Sequence, residues 1–238
     1  MSQALLKSAS PQIRNMASIG GNLLQRTRCG YFRDLAMPCN KRESGTGCSA
    51  LKGENRTHAI FGTSAQCVAT HASDLAVALV ALDAEVRLQS AAGDRSLALD
   101  DFYRLPGGTP EKENELRPGE LITEVHVPLL PWARKSAYLK IRDRDSYEFA
   151  LTSAAVALDI DRDQVRDARI AVGGVGTKPW KLPAVSQALI GKTLNRATIT
   201  AAAELAGAGA KPLRYNRYKV DLVQRTVARA LLNLGGLV

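Results

Sequence analysis

The four cysteines of the chain are the residues whose type and spacing point most directly to chemistry. They are Cys29, Cys39, Cys48 and Cys67, and nine, eight and eighteen residues lie between them in turn. All four lie in or at the edge of residues 25–66, a segment with few apolar residues and no helical or strand period. Ordering such a loop costs about 1–2 kcal/mol per residue in backbone entropy. A multivalent metal centre is therefore a strong candidate for the group that stabilises it.

Several kinds of site are compatible with this spacing, and the spacing alone does not choose between them. Two disulfides could form, but disulfides are rare in reducing compartments and the first residues do not resemble an export signal. Zinc sites usually pair their cysteines about two to four residues apart, and no such pair occurs here. An iron–sulfur cluster needs four converging thiolates at variable spacing. Four unrelated buried cysteines are implausible in so polar a loop, and His58 and His71 are interpreted as structural residues rather than ligands.

A second candidate site is the turn Gly20-Gly21-Asn22, which follows a short predicted helix. Ser10 is expected to cap that helix, with Pro11 at its first position, and the two adjacent glycines are expected to break it. Glycine lets backbone N–H groups approach a phosphate or an aromatic ring, and Asn22 can both donate and accept hydrogen bonds. By itself the turn is weak evidence for a ligand site.

The elements that must position these residues follow from hydrophobic periods and caps. Ser73 is expected to cap a helix whose buried face carries Leu75, Leu79 and Leu82. The patterns predict strands at 84–89, 95–99 and 121–127, a domain joint at 128–134, strands at 136–142, 150–160 and 165–173, and helices at 183–190, 198–209 and 216–235. Strands followed by helices indicate an α+β fold, with domains at 1–130 and 135–238.

Composition and charge narrow the classes of partner. The chain has 238 residues, 45% hydrophobic and 23% charged, which is typical of a globular protein, and a formal net charge of +9. Basic residues are densest at 134–144 and 211–219, and the second stretch is interpreted as a helix start with a charged outer face. No nucleic-acid recognition motif is present, and no apolar run approaches the ~18 residues of a membrane span. Neither nucleic acid nor membrane is expected as a partner.

A resemblance to a known family adds to these interpretations. Residues 10–23 read Ser-Pro-Gln-Ile-Arg-Asn-Met-Ala-Ser-Ile-Gly-Gly-Asn-Leu. This segment resembles the FAD-binding medium subunit of the xanthine dehydrogenase and aldehyde oxidase family of molybdenum hydroxylases. The resemblance continues through 67–76, 119–122 and 137–140. It covers essentially the whole chain, and the part after about residue 135 resembles the family's CO dehydrogenase flavoprotein C-terminal domain.

The cysteine loop resembles one subgroup of that family. With Tyr-Phe-Arg-Asp at 31–34 and Pro-Cys-Asn-Lys-Arg at 38–42, it is similar to the subgroup that carries an extra [4Fe–4S] cluster. That subgroup includes the periplasmic aldehyde oxidoreductase and 4-hydroxybenzoyl-CoA reductase. The resemblance implies that residues 25–70 form an inserted iron–sulfur loop whose four cysteines bind the cluster. It also implies an FAD site formed by Ser18, Gly20, Gly21, Asn22, Asp74, the backbone around Leu121 and Ile122, and the side chain of Lys140.

The resemblance also implies a function. The chain is expected to be an oxidoreductase subunit with no catalytic residues of its own, inactive alone, which passes electrons through FAD to an external acceptor. Its partners would be a molybdenum-cofactor large subunit and a [2Fe–2S] small subunit of a heterotrimer. The chain would act in the cytoplasm, or in the periplasm if a partner carries it there.

One departure from the family pattern keeps alternatives open. Family members begin with a small subdomain whose glycine-rich loop holds the FAD pyrophosphate, whereas this sequence starts in the helix that follows it. The chain is therefore expected to be truncated, a fragment or one piece of a split subunit. The alternatives are an inactive scaffold left by truncation, or a basic binding module with a structural zinc site.

Overall fold

Two antiparallel sheets organise the fold. The structure is a computed structural model that describes residues 1–237, so Val238, the last residue of the predicted C-terminal domain, lies outside the described residues. The helices are α1 (Ser2–Leu6), α2 (Pro11–Met16), α3 (Ile19–Leu23), α4 (Gly30–Arg33), α5 (Asp74–Ala81), α6 (Leu99–Phe102), α7 (Pro183–Leu189), α8 (Arg196–Glu204) and α9 (Tyr218–Gly235). The strands are β1 (Glu85–Ser90), β2 (Gly93–Ala98), β3 (Leu121–His126), β4 (Ser136–Ile141), β5 (Thr152–Asp161), β6 (Gln164–Gly173) and β7 (Trp180–Lys181).

The first sheet has three strands in the order β2–β1–β3 and packs with α5. The Ser73 hydroxyl caps α5 by accepting a hydrogen bond from the Ala76 N–H at 2.9 Å. Every residue of α5 is buried, so this helix lies inside the molecule rather than on its surface. In β1, Val86 and Leu88 alternate with exposed residues and face the same core.

The second sheet has four strands in the order β4–β5–β6–β7 and is covered on two faces. Alternate residues of β5 face opposite sides: Ala154 and Val156 join the core under α7, α8 and α9, whereas Ala155 joins the core around α5. This two-sided cover explains why β5 is apolar over most of its length. At Gly173, the end of β6, a Cβ atom would lie 2.5 Å from Cγ2 of Val77, so the glycine lets α5 approach the sheet closely.

Most of the predicted elements are present, with ends shifted by one to a few residues, and the α+β fold is confirmed. The predicted break at the two glycines is wrong. Gly20 and Gly21 lie inside α3, and the chain breaks earlier, at Ala17 and Ser18, which have extended backbone conformations. The Ser18 hydroxyl starts the new helix by accepting a hydrogen bond from the Gly21 N–H at 3.0 Å. The short elements α4, α6 and β7 were not predicted, because they contain too few residues to show a period.

The polar segment at 25–66 is ordered although it contains little regular structure. Its far end is anchored in the second core, where the Ile60 and Phe61 N–H groups both donate to the Val175 carbonyl, at 2.8 and 3.0 Å. The expectation that cysteines would not be buried in so polar a loop is wrong for Cys39 and Cys67, which are 7% and 4% exposed.

Among residues 1–237, no helix is long and apolar enough to cross a membrane.

Candidate functional site

The four cysteines converge on one small cavity. Cys29, Cys39, Cys48 and Cys67 all line it, although they come from four separate stretches of the loop. Cys39 and Cys48 face each other in an isolated antiparallel bridge, which brings the two middle thiols together. All four thiols are free. In the part of the chain that the structure describes, no three histidine, cysteine, aspartate or glutamate side chains form a group compact enough to hold a single metal ion.

Cationic side chains hold the loop around this cavity. The Arg42 guanidinium donates to the carbonyls of Tyr31, Phe32 and Met37, and so closes the loop between the first two cysteines. The Lys41 ammonium is buried, and it donates to the Pro110 carbonyl at 2.9 Å and to a Glu113 carboxylate oxygen at 2.8 Å. These long-range bonds give the cysteine loop a fixed shape without a hydrophobic core of its own.

Two of the thiols, those of Cys29 and Cys67, lie in an environment that opposes their ionisation. Burial raises the pKa of the Cys29 thiol, against smaller opposing effects of the Tyr31 and Phe32 backbone N–H groups. Burial also raises the pKa of the Cys67 thiol to about 11, against the opposing charge of Lys41. Bound metal reverses this preference, because it binds the thiolate and releases the proton. Cys29 and Cys67 are therefore poorly suited to free nucleophilic chemistry, and a bound metal is what would ionise them.

His58 lies against this group of thiols. Its contact with them could not be predicted from the sequence. It was predicted to be a structural residue outside the site, yet its Nε2 is 3.2 Å from Sγ of Cys29. The whole residue is 5% exposed. No sequence pattern marks this histidine, because the contact joins residues 29 positions apart in an irregular loop.

A second cavity of about 510 Å³ adjoins the cysteine loop and contains the predicted glycine turn. Its volume falls within the ~300–1,000 Å³ of small-molecule sites. Ser18, Gly21, Asn22 and Asp74 line it, as do the aromatic rings of Tyr147 and Phe149 from the loop between β4 and β5. The Asn22 amide oxygen accepts a hydrogen bond from the Ser73 hydroxyl at 2.6 Å, so α3 is tied directly to the cap of α5.

The wall of this cavity is cationic. Arg28, Arg33 and Arg144 line it together with two acids, Asp74 and Glu148. Glu148 is paired with Arg144 at 3.2 Å, and Asp74 is paired with a lysine outside the cavity wall. Among the described residues, Arg28 and Arg33 have no such carboxylate partner, which favours an anionic ligand.

Asp74 is the centre of a buried network at the floor of the cavity. Its carboxylate accepts hydrogen bonds from the Tyr138 hydroxyl at 2.6 Å, the Lys140 ammonium at 2.7 Å and the Ser8 hydroxyl at 3.2 Å. Burial, and then the charge of Asp74, raises the pKa of Tyr138 well above its ordinary value, so the phenol stays protonated and donates. Because Asp74 begins α5 whereas Tyr138 and Lys140 lie on β4, the network joins α5 to the second sheet at the site.

The remaining predicted FAD residues lie near this cavity without lining it. Lys140 is directed into the ion pair with Asp74, and its side chain is 1% exposed. Gly20 packs against β3, where a Cβ atom would lie 3.7 Å from Cβ of Ile122. Leu121 is 70% exposed at the start of the same strand. The structure thus brings Ser18, the glycine turn and the two charged residues together, with β3 behind them.

In the second basic stretch Lys211, Arg214 and Arg217 are exposed, as a charged outer face requires, and the exception is Lys219. It lies in the first turn of α9, is fully buried, and donates to the carbonyls of Thr57 and Gly174 at 2.8 and 2.7 Å. Burial, with a smaller effect of the Arg56 charge, lowers the pKa of Lys219 to about 7. Its role is to tie the end of the cysteine loop to the second sheet.

The pKa of Lys219 predicts a pH-dependent stability. Below pH 7 the lysine is protonated in both states, whereas above it the folded protein loses a proton that the unfolded chain keeps until about its ordinary pKa of 10.5. Relative to Lys219→Met, the free energy of unfolding of the wild type should therefore rise by about 1–2 kcal/mol between pH 7 and 8.5. Urea unfolding of both proteins across this range measures the difference. The exposed Lys192→Met is the control and should show no such trend; a pH-independent Lys219→Met difference would mean that Lys219 stays charged.

Comparison with known proteins agrees with this architecture. A family model described as the FAD binding domain in molybdopterin dehydrogenase matches residues 1–130, and one described as the CO dehydrogenase flavoprotein C-terminal domain matches residues 136–234. This order of domains defines the class as an FAD-binding flavoprotein. The aldehyde oxidoreductase FAD-binding subunit PaoB of Escherichia coli strain K12 is 46% identical over 232 residues, which are 97% of this chain and 70% of that protein. The chain belongs to the family of FAD-binding medium subunits of molybdenum hydroxylases.

More distant relatives share parts of the sequence or the fold. The glyceraldehyde dehydrogenase medium chain of Sulfolobus acidocaldarius is 38% identical over 124 residues, which are 52% of this chain and 42% of that protein. The structure of quinoline 2-oxidoreductase from Pseudomonas putida 86 matches 98% of this chain and 66% of its own, with a TM-score of 0.68 and 21% identity. The structure of reconstituted CO dehydrogenase from Oligotropha carboxidovorans matches 99% of this chain and 67% of its own, again with a TM-score of 0.68 and 21% identity. At this identity the two structures show a shared fold, and the predicted family and fold are confirmed.

Proposed function

We propose that this chain is the electron-relaying subunit of a molybdenum-dependent aldehyde oxidoreductase, with FAD in the larger cavity and a [4Fe–4S] cluster on the four cysteines. The substrate class comes from the name of the relative at 46% identity, which covers 97% of this chain. FAD supplies one- and two-electron chemistry when bound, and the protein positions it and adjusts its potential. The partners are a molybdenum-cofactor subunit and a small iron–sulfur subunit.

The larger cavity supports the flavin assignment through its shape and charge. Ser18, Gly21 and Asn22 present a short helix with little side-chain bulk, and Tyr147 and Phe149 add aromatic rings to the lining. The guanidinium groups of Arg28 and Arg33, which have no carboxylate partner within residues 1–237, suit an anionic cofactor or a reduced flavin that carries negative charge. Asp74 and Lys140 support the cavity together, since their ion pair holds α5 against β4 beneath it.

The cysteine cavity supports the cluster assignment through its donor set. Four free thiols from separate segments face one space, and thiolates are the usual ligands of such clusters. The surrounding loop is held by Lys41 and Arg42, whose positive charges suit a centre with net negative charge. This donor set supports the proposed cluster.

The observation that carries the electron-relay proposal is the adjacency of the two cavities. Arg28 lines the larger cavity and Cys29, the next residue, lines the cysteine cavity. Consecutive Cα atoms are about 3.8 Å apart, so the walls of the two cavities meet at this peptide. Such proximity is what electron exchange between two redox centres requires.

A visible spectrum of the anaerobically purified full chain, before and after dithionite, tests the proposal. We expect a broad brown absorbance that bleaches on reduction, with structured flavin bands on top once FAD is added. Iron, sulfide and zinc analyses of the same sample separate a cluster from a structural zinc site. A colourless protein with zinc and no iron would overturn the cluster assignment, and failure to bind FAD would favour an inactive scaffold.

A further inference from the structure

We propose that His58 is a positioning residue for the iron–sulfur centre, which donates an Nε2–H···S hydrogen bond to Cys29 and thereby raises the reduction potential of the cluster. The inference rests on the proposed cluster and adds a residue that none of the sequence patterns marks. Its starting point is the 3.2 Å distance between Nε2 of His58 and Sγ of Cys29.

The direction of the hydrogen bond follows from the sulfur. A cysteine sulfur bound to iron carries no proton and can only accept, so the hydrogen must come from the imidazole. The other ring nitrogen, Nδ1, is buried and has no hydrogen-bond partner among the described residues. Nothing on the Nδ1 side therefore competes for the proton, and the tautomer with hydrogen on Nε2 is the one that uses the available acceptor.

The second domain fixes the position of His58. The Asn216 amide donates to the carbonyls of both His58 and Ala59 at 3.2 Å, and Lys219 donates to the carbonyl of Thr57 at 2.8 Å. Asn216 and Lys219 are themselves completely buried. Asn216, which precedes α9, and Lys219, in its first turn, thus hold the backbone on both sides of the histidine, so its Cα lies at a fixed position near Cys29.

The expected effect follows from charge. Reduction adds an electron to the cluster and increases the negative charge on its sulfur ligands, and an N–H donor stabilises that state more than the oxidised one. Removing the donor should therefore make the cluster harder to reduce. Hydrogen bonds to the sulfurs are among the main protein features that set cluster potentials.

The test is a potentiometric titration of the cluster, followed by electron paramagnetic resonance, in the wild type, His58→Leu and His58→Gln. We expect His58→Leu to keep its iron while its reduction equilibrium constant falls about tenfold, which is about 59 mV for one electron. His58→Gln, whose amide can place an N–H near the position of Nε2, should restore most of the potential. An unchanged potential in His58→Leu overturns the proposal, and loss of iron in both variants makes His58 a ligand instead.

A second measurement needs no variant. In wild-type protein labelled with ¹⁵N-histidine, pulsed electron paramagnetic resonance of the reduced cluster should show weak coupling between the cluster's electron spin and the ¹⁵N nucleus, transmitted through the hydrogen bond. Absence of coupling contradicts the proposal, and strong coupling indicates direct ligation. If the wild type contains no iron, the proposed cluster itself is wrong. If the wild type contains iron but its potential does not depend on His58, only the His58 assignment is wrong.

Discussion

Cys39→Ser is expected to abolish the broad visible absorbance and most of the bound iron, while the second domain stays folded. Cys39 is 7% exposed and faces Cys48 across an antiparallel bridge, so no other thiol can move into its place without breaking that pair. Serine binds iron far less well than thiolate, and the remaining three cysteines cannot complete the ligand set. Iron and sulfide analysis with the visible spectrum measures the loss.

The folded state of the second domain follows from where its core lies. That core is built from β5, β6 and the helices α7 to α9, and it contains no cysteine. Cys39→Ser should therefore keep the helical circular dichroism of the C-terminal half but become sensitive to protease within the cysteine loop. Ala36→Ser, exposed in the same loop, adds a hydroxyl without removing a thiol and should keep its iron. Iron retained at the wild-type level in Cys39→Ser would count decisively against the cluster.

Asp74→Ala is expected to destabilise the protein by about 3–5 kcal/mol, because it leaves Lys140 as a buried charge without its partner. The Lys140 side chain is 1% exposed and its other hydrogen-bond acceptor is the Lys7 carbonyl. The Tyr138 hydroxyl, 2.6 Å from the carboxylate, loses its acceptor at the same time. Urea unfolding followed by tryptophan fluorescence measures the change in the free energy of unfolding, and FAD retention should fall with it.

A double-mutant cycle separates the ion pair from the cavity that Asp74→Ala creates. Asp74→Ala combined with Lys140→Met removes both charges and should recover part of the lost stability, since no unpaired charge remains. Asp143→Ala, which breaks an exposed ion pair with Arg56, is the matched surface control and should leave stability nearly unchanged. Equal losses in Asp74→Ala and Asp143→Ala would show that the buried network does not hold α5 on the second sheet.

The elements of the fold could be predicted because their determinants lie within a few residues of each other. The Ser10 and Ser73 hydroxyls cap the helices that follow them, as their positions in the sequence indicate. The apolar stripe of α9 includes Val223, Val227 and Leu231, which are completely buried. Where prediction failed, at Gly20 and Gly21, the cap supplied by Ser18 and the packing of α3 on β3 outweighed the low helix propensity of glycine.

The candidate site could be predicted only as a set of residue types. The four cysteines stand out because they share one polar segment, and Ser18, Asn22 and Asp74 belong to segments that carry the family resemblance. His58 and Lys219 could not be found this way. A single histidine in a loop and a single lysine in a basic stretch carry no periodic pattern, and their burial depends on which distant segments fold against them.

The sequence by itself determined most of the helices and strands, the α+β class and the ligand types available, since caps, periods and residue chemistry act over short distances along the chain. Only the tertiary structure decided which of these groups meet. Asp74 and Lys140 lie 66 positions apart, and Lys219 reaches the carbonyl of Thr57 across 162 positions. Such contacts depend on the register of β4 with β5 and on how closely α5 and α9 pack on that sheet, which no local pattern encodes.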